Sequence, residues 1–208
     1  MLILLFAITT GIIGVDLDYS IHNDIGTLND EFRANALSHE FEKGSWGWSW
    51  SVSMIQNNVL IGVANINGDQ HQEDEGLSLD LSFRARMYEV GYFFGLPYLM
   101  ACLKIGGGYS HANITVTSQS DSATFSGILD NPGGTAYLTG SCLSISGSVG
   151  ILVPLTDYIG LRLTGGYIHG FEKPDWEFVE GGQVYGGPEL DLSQIYIKAG
   201  IVMGEFRR

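Results

Sequence analysis

Between Ser45 and Met54 the chain reads SWGWSWSVSM, with a large apolar residue at every second position. Successive side chains of a strand project to opposite faces. Trp46, Trp48, Trp50, Val52 and Met54 therefore share one face, and Ser45, Gly47, Ser49, Ser51 and Ser53 the other. A chain that repeats this pattern is bound to fold as β-sheet, half apolar and half small and polar.

It does repeat. Val15–His22 sets Val15, Leu17, Tyr19 and Ile21 against Asp16, Asp18, Ser20 and His22. Leu77–Met87 sets Leu77, Leu79, Leu81, Phe83, Ala85 and Met87 against Ser78, Asp80, Ser82, Arg84 and Arg86. Leu143–Val153, Ile159–Tyr167 and Ile195–Met203 alternate in the same way, and Val59–Asn67 and Tyr98–Thr117 bring the predicted strands to eight. Gln56–Asn58, Gly95–Pro97 and Pro154–Asp157 are tight turns, whereas Asn23–Gly44, Gly68–Gly76, Ser118–Ala136 and Gly170–Glu189 are long and mostly acidic. An even strand number with short turns at one end and long loops at the other is the layout of an all-β, up-and-down transmembrane β-barrel, eight-stranded and antiparallel.

A soluble barrel alternates too, with its apolar face inward. Its outer face would be rich in Lys, Glu and Thr; here the face opposite the apolar one is Ser and Gly with a few charges, which suits a narrow bore. The membrane barrel is therefore preferred. No stretch reaches 18 apolar residues, which excludes a transmembrane helix and leaves a barrel untouched. Met1–Ile13 (MLILLFAITTGII) resembles the apolar part of a secretory signal peptide, or else is a first hydrophobic segment, so the barrel is expected over residues 14–208.

Ten Lys and Arg stand against 23 Asp and Glu, a formal charge of −13, so nucleic acid is not an expected partner. Five of those cations fall on the Ser/Gly face: Arg84, Arg86, Lys104, Arg162 and Lys198. Asp16, Asp18 and Asp80 share it, and together the eight are expected to form a charge layer inside the bore. Buried charges must be paired, hydrated or liganded. A salt-bridged filling is expected ahead of a conducting path, with Lys198 meeting Asp16 or Asp18 where the last strand closes on the first.

Two segments repeat: Leu96-Pro97-Tyr98 precedes Gly107-Gly108-Tyr109-Ser110-His111, and Val153-Pro154-Leu155 precedes Gly165-Gly166-Tyr167-Ile168-His169. The spacing predicts an upper aromatic girdle at Tyr109 and Tyr167 and a lower one at Tyr98, Tyr158, Phe93 and Phe94, with Trp46, Trp48 and Trp50 on the same outer surface. Cys102 and Cys142 sit on neighbouring strands, but hairpin pairing puts Cys102 opposite about position 152. That is too far for a disulfide, so two free thiols are expected.

The turn and strand PLTDYIGLRLTGGY (Pro154–Tyr167) and the closing strand DLSQIYIKAGI (Asp191–Ile201) resemble the bacterial outer-membrane β-barrel superfamily, in particular its eight-stranded OmpA/OmpX/OmpW-like members. The resemblance covers about Val15 to Phe206 in layout. It implies a barrel in a bacterial outer membrane, surrounded by its lipids, with periplasmic termini and exterior loops. One departure is that such chains end on an aromatic residue in phase with the outward apolar face. Here Phe206 is out of phase with Ile197, Ala199, Ile201 and Met203, and Arg207 and Arg208 follow it.

No motif fixes a catalytic geometry. His111 and His169 near the loop-side rim, with Ser110, Asn113 and Glu172 close in sequence, are the nearest approach to a lipid hydrolase. The five His show no metal-ligand spacing and the acidic run Asp69–Glu75 lacks that of a calcium loop. No cofactor, metal or enzymatic activity is expected, and a monomer is favoured. Asp30–Phe41 reads as a short rim helix with Phe32, Leu37 and Phe41 on one side; Trp176 and Phe178 are either partner anchors or loop packing. Adhesion, recognition or envelope stabilisation by the loops is the expected role. A narrow porin-like channel and a lipid-modifying enzyme are the alternatives.

Overall fold

The computed structural model describes residues 10–34, 40–74, 77–96, 98–119, 133–179 and 187–206. Their elements run β1 (Thr10–His22), α1 (Ile25–Ala34), β2 (Gly44–Gln56), β3 (Val59–Asp74), β4 (Leu77–Leu96), β5 (Leu99–Gln119), β6 (Gly133–Pro154), β7 (Ile159–Gly170), β8 (Asp175–Phe178) and β9 (Gln194–Gly204). Strands β1 to β7 pair antiparallel in chain order, and β9 joins β7 to β1. These eight close a barrel. Short β8 pairs with β6 at Leu138–Ser141, above the level where β7 ends opposite Ser144.

One register line fixes the barrel's geometry. It passes from Ile12 to Ser53, Gly62, Glu89, Gly106, Ser146, Ile168 and Gln194, and returns to β1 at His22, ten residues further on. Eight strands with that stagger tilt by roughly 40°. Each residue then climbs about 2.5 Å along the axis, and each strand crossed adds about 3 Å.

The barrel has a short flank and a tall one. Strands β2, β7 and β9 have 13, 12 and 11 residues, while β4, β5 and β6 have 20, 21 and 22. At about 2.5 Å per residue, 20 residues rise about 50 Å, well beyond a hydrocarbon core of about 30 Å. The tall strands therefore cross two solvents. Low on β4, Tyr88, Val90, Tyr92 and Phe94 face outward; higher up, Leu79, Leu81, Phe83, Ala85 and Met87 are buried and Arg84 and Arg86 are exposed. On β5, Leu103 and Ile105 face outward below, whereas Ala112, Ile114 and Val116 are buried above. The strand keeps its parity; the medium changes, and with it the face that carries apolar side chains.

Above the bilayer the fold becomes an ordinary apolar core. Ile25, Leu28 and Phe32 of α1 pack with Phe41, Leu79, Leu81, Phe83, Ile114, Val116, Leu138, Trp176, Leu190 and Leu192. Helix α1 begins after Asp24, whose carboxylate accepts from Thr27 Oγ1 and whose backbone carbonyl accepts from the Thr27 N–H. Asn29 ties the following segment down by exchanging hydrogen bonds with the backbone of Phe41.

Several expectations change. Within the strand Leu77–Met87 the apolar residues from Leu79 onward point inward, not outward. Gly68–Asp74 belongs to β3 and not to a loop, because β3 and β4 stay paired up to Asp74 and Leu77, and Glu75 and Gly76 lie outside the described residues. Phe93 points into the barrel and only Phe94 belongs to the lower girdle. The helix starts at Ile25, earlier than Asp30, and Leu37 lies outside the described residues. Trp176 is buried and donates to the Pro188 carbonyl at 2.8 Å, so it is loop packing and no exposed anchor. Strand β1 starts at Thr10, inside the apolar run, whose first nine residues lie outside the described ones.

The remaining turns follow their residues. Asn57 and Asn58 have φ of 51° and 67°, the left-handed pair that a two-residue hairpin needs. Phe206, out of phase for a lipid-facing end, turns under the barrel instead. Its N–H donates to the Asp157 carbonyl at 2.8 Å and its ring packs with Ile12, Leu152 and Val202.

Candidate functional site

The lumen is layered. At the bottom lie Ile12, Leu152, Val202 and Phe206, with Leu60, Phe93 and Cys102 beside them. At the top the core under α1 fills the mouth. Between them is the charged layer, and five predicted members stand in it: Asp16, Asp18, Lys104, Arg162 and Lys198.

Arg162 grips Asp16 through two N–H donors and gives a third to Ser51 Oγ at 2.9 Å. Lys104 Nζ lies 2.6 Å from Glu89 Oε2, both side chains at 5% exposure or less. Asp18 and Lys198 are cross-strand neighbours, both fully buried, with no direct hydrogen bond between them; Lys198 Nζ also stands 5.5 Å from the Tyr196 ring centre. A cavity of about 20 Å³ bordered by Ser53, Lys104, Arg162 and Thr164 has room for about one water.

Two small residues make the layer possible. A Cβ on Gly14 would run into the Arg162 guanidinium, and one on Gly166 into the Tyr196 ring, so both long side chains lie over bare backbone.

The other three predicted members are elsewhere. Asp80, Arg84 and Arg86 point out of the barrel because they share the parity of Tyr88 and Val90. Asp80 forms an outer-face pair with His71, Oδ1 to Nδ1 at 2.6 Å, above the bilayer. This contact and the nearby Asp80 charge hold the His71 imidazole above its ordinary pKa. The missed lumen acid is Glu89. Its signal is the run Tyr88-Glu89-Val90-Gly91-Tyr92, in which the one acid alternates with outward apolar residues.

Of the predicted outer-surface aromatics, Trp46, Trp48, Tyr98, Tyr109, Tyr158 and Tyr167 are exposed and Trp50 is half-buried. Between them runs a continuous apolar wall that includes Leu17, Ile61, Ile105, Val149, Leu161 and Ile197, each at least 47% exposed. Side chains of that kind at that exposure around a whole barrel need a hydrocarbon solvent.

The hydrolase geometry does not form. His111 faces outward while adjacent Ser110 is buried on the inner face. His169 Nδ1 lies 3.3 Å from Ser193 Oγ, which already accepts from the Gly170 N–H. Cys102 pairs with Gly150 and Cys142 with Ser110, eight residues apart along β6, and both thiols are free.

No protein-family model and no curated protein sequence matches the chain. Solved structures do. Ail, the attachment invasion locus protein of Yersinia pestis, has a TM-score of 0.52 at 9% identity, covering 94% of this chain and 97% of Ail. Neisserial surface protein A gives 0.52 at 10% identity, covering 94% and 96%. A major outer membrane protein from Thermus thermophilus gives 0.55 at 13% identity, covering 93% and 98%. At such identities the likeness is one of fold. That fold and the lipid-facing wall agree: this chain is a membrane-spanning, eight-stranded antiparallel barrel, similar in fold to those of bacterial outer-membrane proteins.

Proposed function

We propose that the protein is a non-conducting, non-enzymatic anchor in a bacterial outer membrane, and that its exterior extension serves recognition or adhesion. The observation that carries this reading is the filled bore. A conducting path needs a continuous column of water. Here Phe206 and its neighbours fill the lower end, ion-paired side chains the middle and α1 the upper mouth. The extension is instead built as a rigid platform, with β3 to β6 continuing as paired strands and β8 added at the side.

Its surface is acidic. Asp30, Glu40, Glu73, Asp80 and Glu189 are half-exposed or more but lie beside Arg33, His71 or Lys173. Glu42, Asp69, Glu172, Asp175 and Glu177 are exposed in addition and outnumber the remaining cations there. Such a rim favours a basic partner by long-range attraction. Ail was crystallised with the heparin analogue sucrose octasulfate; the negative rim here argues for a partner of opposite charge.

Planar-bilayer recording tests the anchor. Purified wild type is expected to be silent, and steady single-channel conductance would overturn the reading. Cell attachment supplies the second arm: replacing the tip between Glu73 and Leu79 with a short Asn-Gly turn should reduce attachment while leaving the heat-modifiable barrel intact. Undiminished attachment would remove the extension as the recognition element.

A further inference from the structure

Arg84 and Arg86 lie on the outer wall, and neither is ion-paired among the described residues. In register Arg84 stands beside His111 on β5 and Asn67 on β3, and Arg86 beside Tyr109 and Asn65. Arg84, Arg86, His111, Tyr88, Tyr109 and Asn65 border one open groove. In a chain with only ten Lys and Arg, two unpaired guanidiniums side by side on a lipid-facing wall are a costly arrangement without an anion.

Their level identifies the anion. Measured from Ile12, at about 2.5 Å per residue and about 3 Å per strand crossed, Arg86 stands at roughly 17 Å and Arg84 at roughly 22 Å. The same arithmetic puts outward Ile195 at roughly 19 Å, Trp46 at roughly 21 Å, and Ile21 and Leu143 at roughly 22–23 Å. The two arginines thus occupy a depth at which the rest of the wall is still apolar or aromatic. This is the headgroup zone of the outer leaflet, where Trp and Tyr concentrate. Directly below them the wall turns apolar at Val90, Leu103 and Ile105. Cations above, tyrosines beside them and an apolar track below match an amphiphile, head up and tail down.

We propose that the groove at Arg84, Arg86 and His111 binds the phosphate-bearing headgroup of an outer-leaflet lipid, with its acyl chains lying along Val90, Leu103 and Ile105. Guanidinium forks suit phosphate oxygens, and Tyr88 and Tyr109 supply hydroxyls and flat faces for the sugar or glycerol next to them. The site goes beyond the anchor reading and does not depend on the lumen being closed; it rests on the transmembrane setting alone.

Native mass spectrometry on the full chain in a neutral detergent tests it. The probes are lipid A (a diphosphorylated acylated glucosamine disaccharide), its dephosphorylated form, inorganic phosphate and sucrose octasulfate. Wild type is expected to retain lipid A at least about tenfold better than the dephosphorylated form, with retention falling as salt rises. R84Q/R86Q should lose that preference and R84K/R86K should keep most of it, both remaining heat-modifiable because the side chains touch only the surroundings of the barrel. Equal retention of both lipid forms by wild type, or an undiminished preference in R84Q/R86Q, would overturn the site. Tighter binding of inorganic phosphate or of the soluble octasulfate than of lipid A would overturn the lipid assignment. An R84Q/R86Q protein that is not heat-modifiable, with R84K/R86K behaving like it, would make the arginines structural and equally overturn the site.

Discussion

Arg162 on β7 reaches past β9 to hold Asp16 on β1, tying together two strands that do not pair with each other. The clamp crosses the seam where the last strand meets the first, and it does so inside the wall, where an unpaired charge is expensive. Removing one partner is therefore worse than removing both. Asp16→Asn should destabilise the barrel by about 3–5 kcal/mol, and adding Arg162→Met should recover part of that loss. Urea unfolding in lipid vesicles measures the cycle; a double variant as weak as the sum of two independent losses would contradict the pairing.

Gly14 and Gly200 both border this clamp, but unequally. A Cβ on Gly14 would meet the far end of the flexible Arg162 side chain, which can shift, whereas one on Gly200 would meet the backbone of Val15 and Asp16. Gly200→Ala should accordingly cost more stability than Gly14→Ala, by at least about 1 kcal/mol, as overpacking against a fixed backbone does. The same unfolding assay ranks them, and the reverse order would place the crowding elsewhere.

His71 should titrate above an ordinary imidazole, since Asp80 bonds to its charged form. A raised folded-state pKa means that the pair's contribution is complete below the unfolded pKa and disappears as pH climbs through the raised value. Both groups are exposed, so this concerns the local ladder of β3 and β4 and not global stability. NMR titration of the His71 ring should show the elevation in wild type and its loss in Asp80→Asn. An unshifted wild-type curve would mean that the pair is not formed.

The α1 cap should open before the barrel does. Phe32 is fully buried and its ring centre lies 5.8 Å from that of Phe41. Phe32→Ala is expected to cost about 3–5 kcal/mol at this site. Hydrogen exchange should then accelerate in α1 while the amides of β7 and β9 stay protected. Equal acceleration in both would show the cap and the membrane barrel to be one cooperative unit.

Much of this was legible in the residues. Alternation located the strands, Asn57-Asn58 and the proline-bearing turns marked the short end, and outward faces of β1, β2, β6, β7 and β9 followed from which alternate positions are large and apolar. That Lys198 lies level with Asp16 or Asp18 followed from closing the last strand on the first; the register sets it opposite Asp18, without a hydrogen bond between them. The distance between the cysteines followed from hairpin pairing, two residues from the observed register.

What sequence could not decide is where along a strand hydrocarbon gives way to water. Alternation has two solutions that differ only in which face is inside, and a strand that leaves the bilayer switches from one to the other without a break in its pattern. In β4 the apolar face therefore passes from Tyr88, Val90, Tyr92 and Phe94 on the outside to Leu79, Leu81, Phe83 and Met87 on the inside. Arg84 and Arg86 go out with that change, and Glu89 comes in to meet Lys104. Only the closed barrel sets these positions, because its stagger carries β4 and β5 above the short flank. Their upper halves meet water on the outside and α1 on the inside, and the hydrophobic effect then buries the leucines, while Arg84 and Arg86 mark the headgroup level at which the outer medium changes.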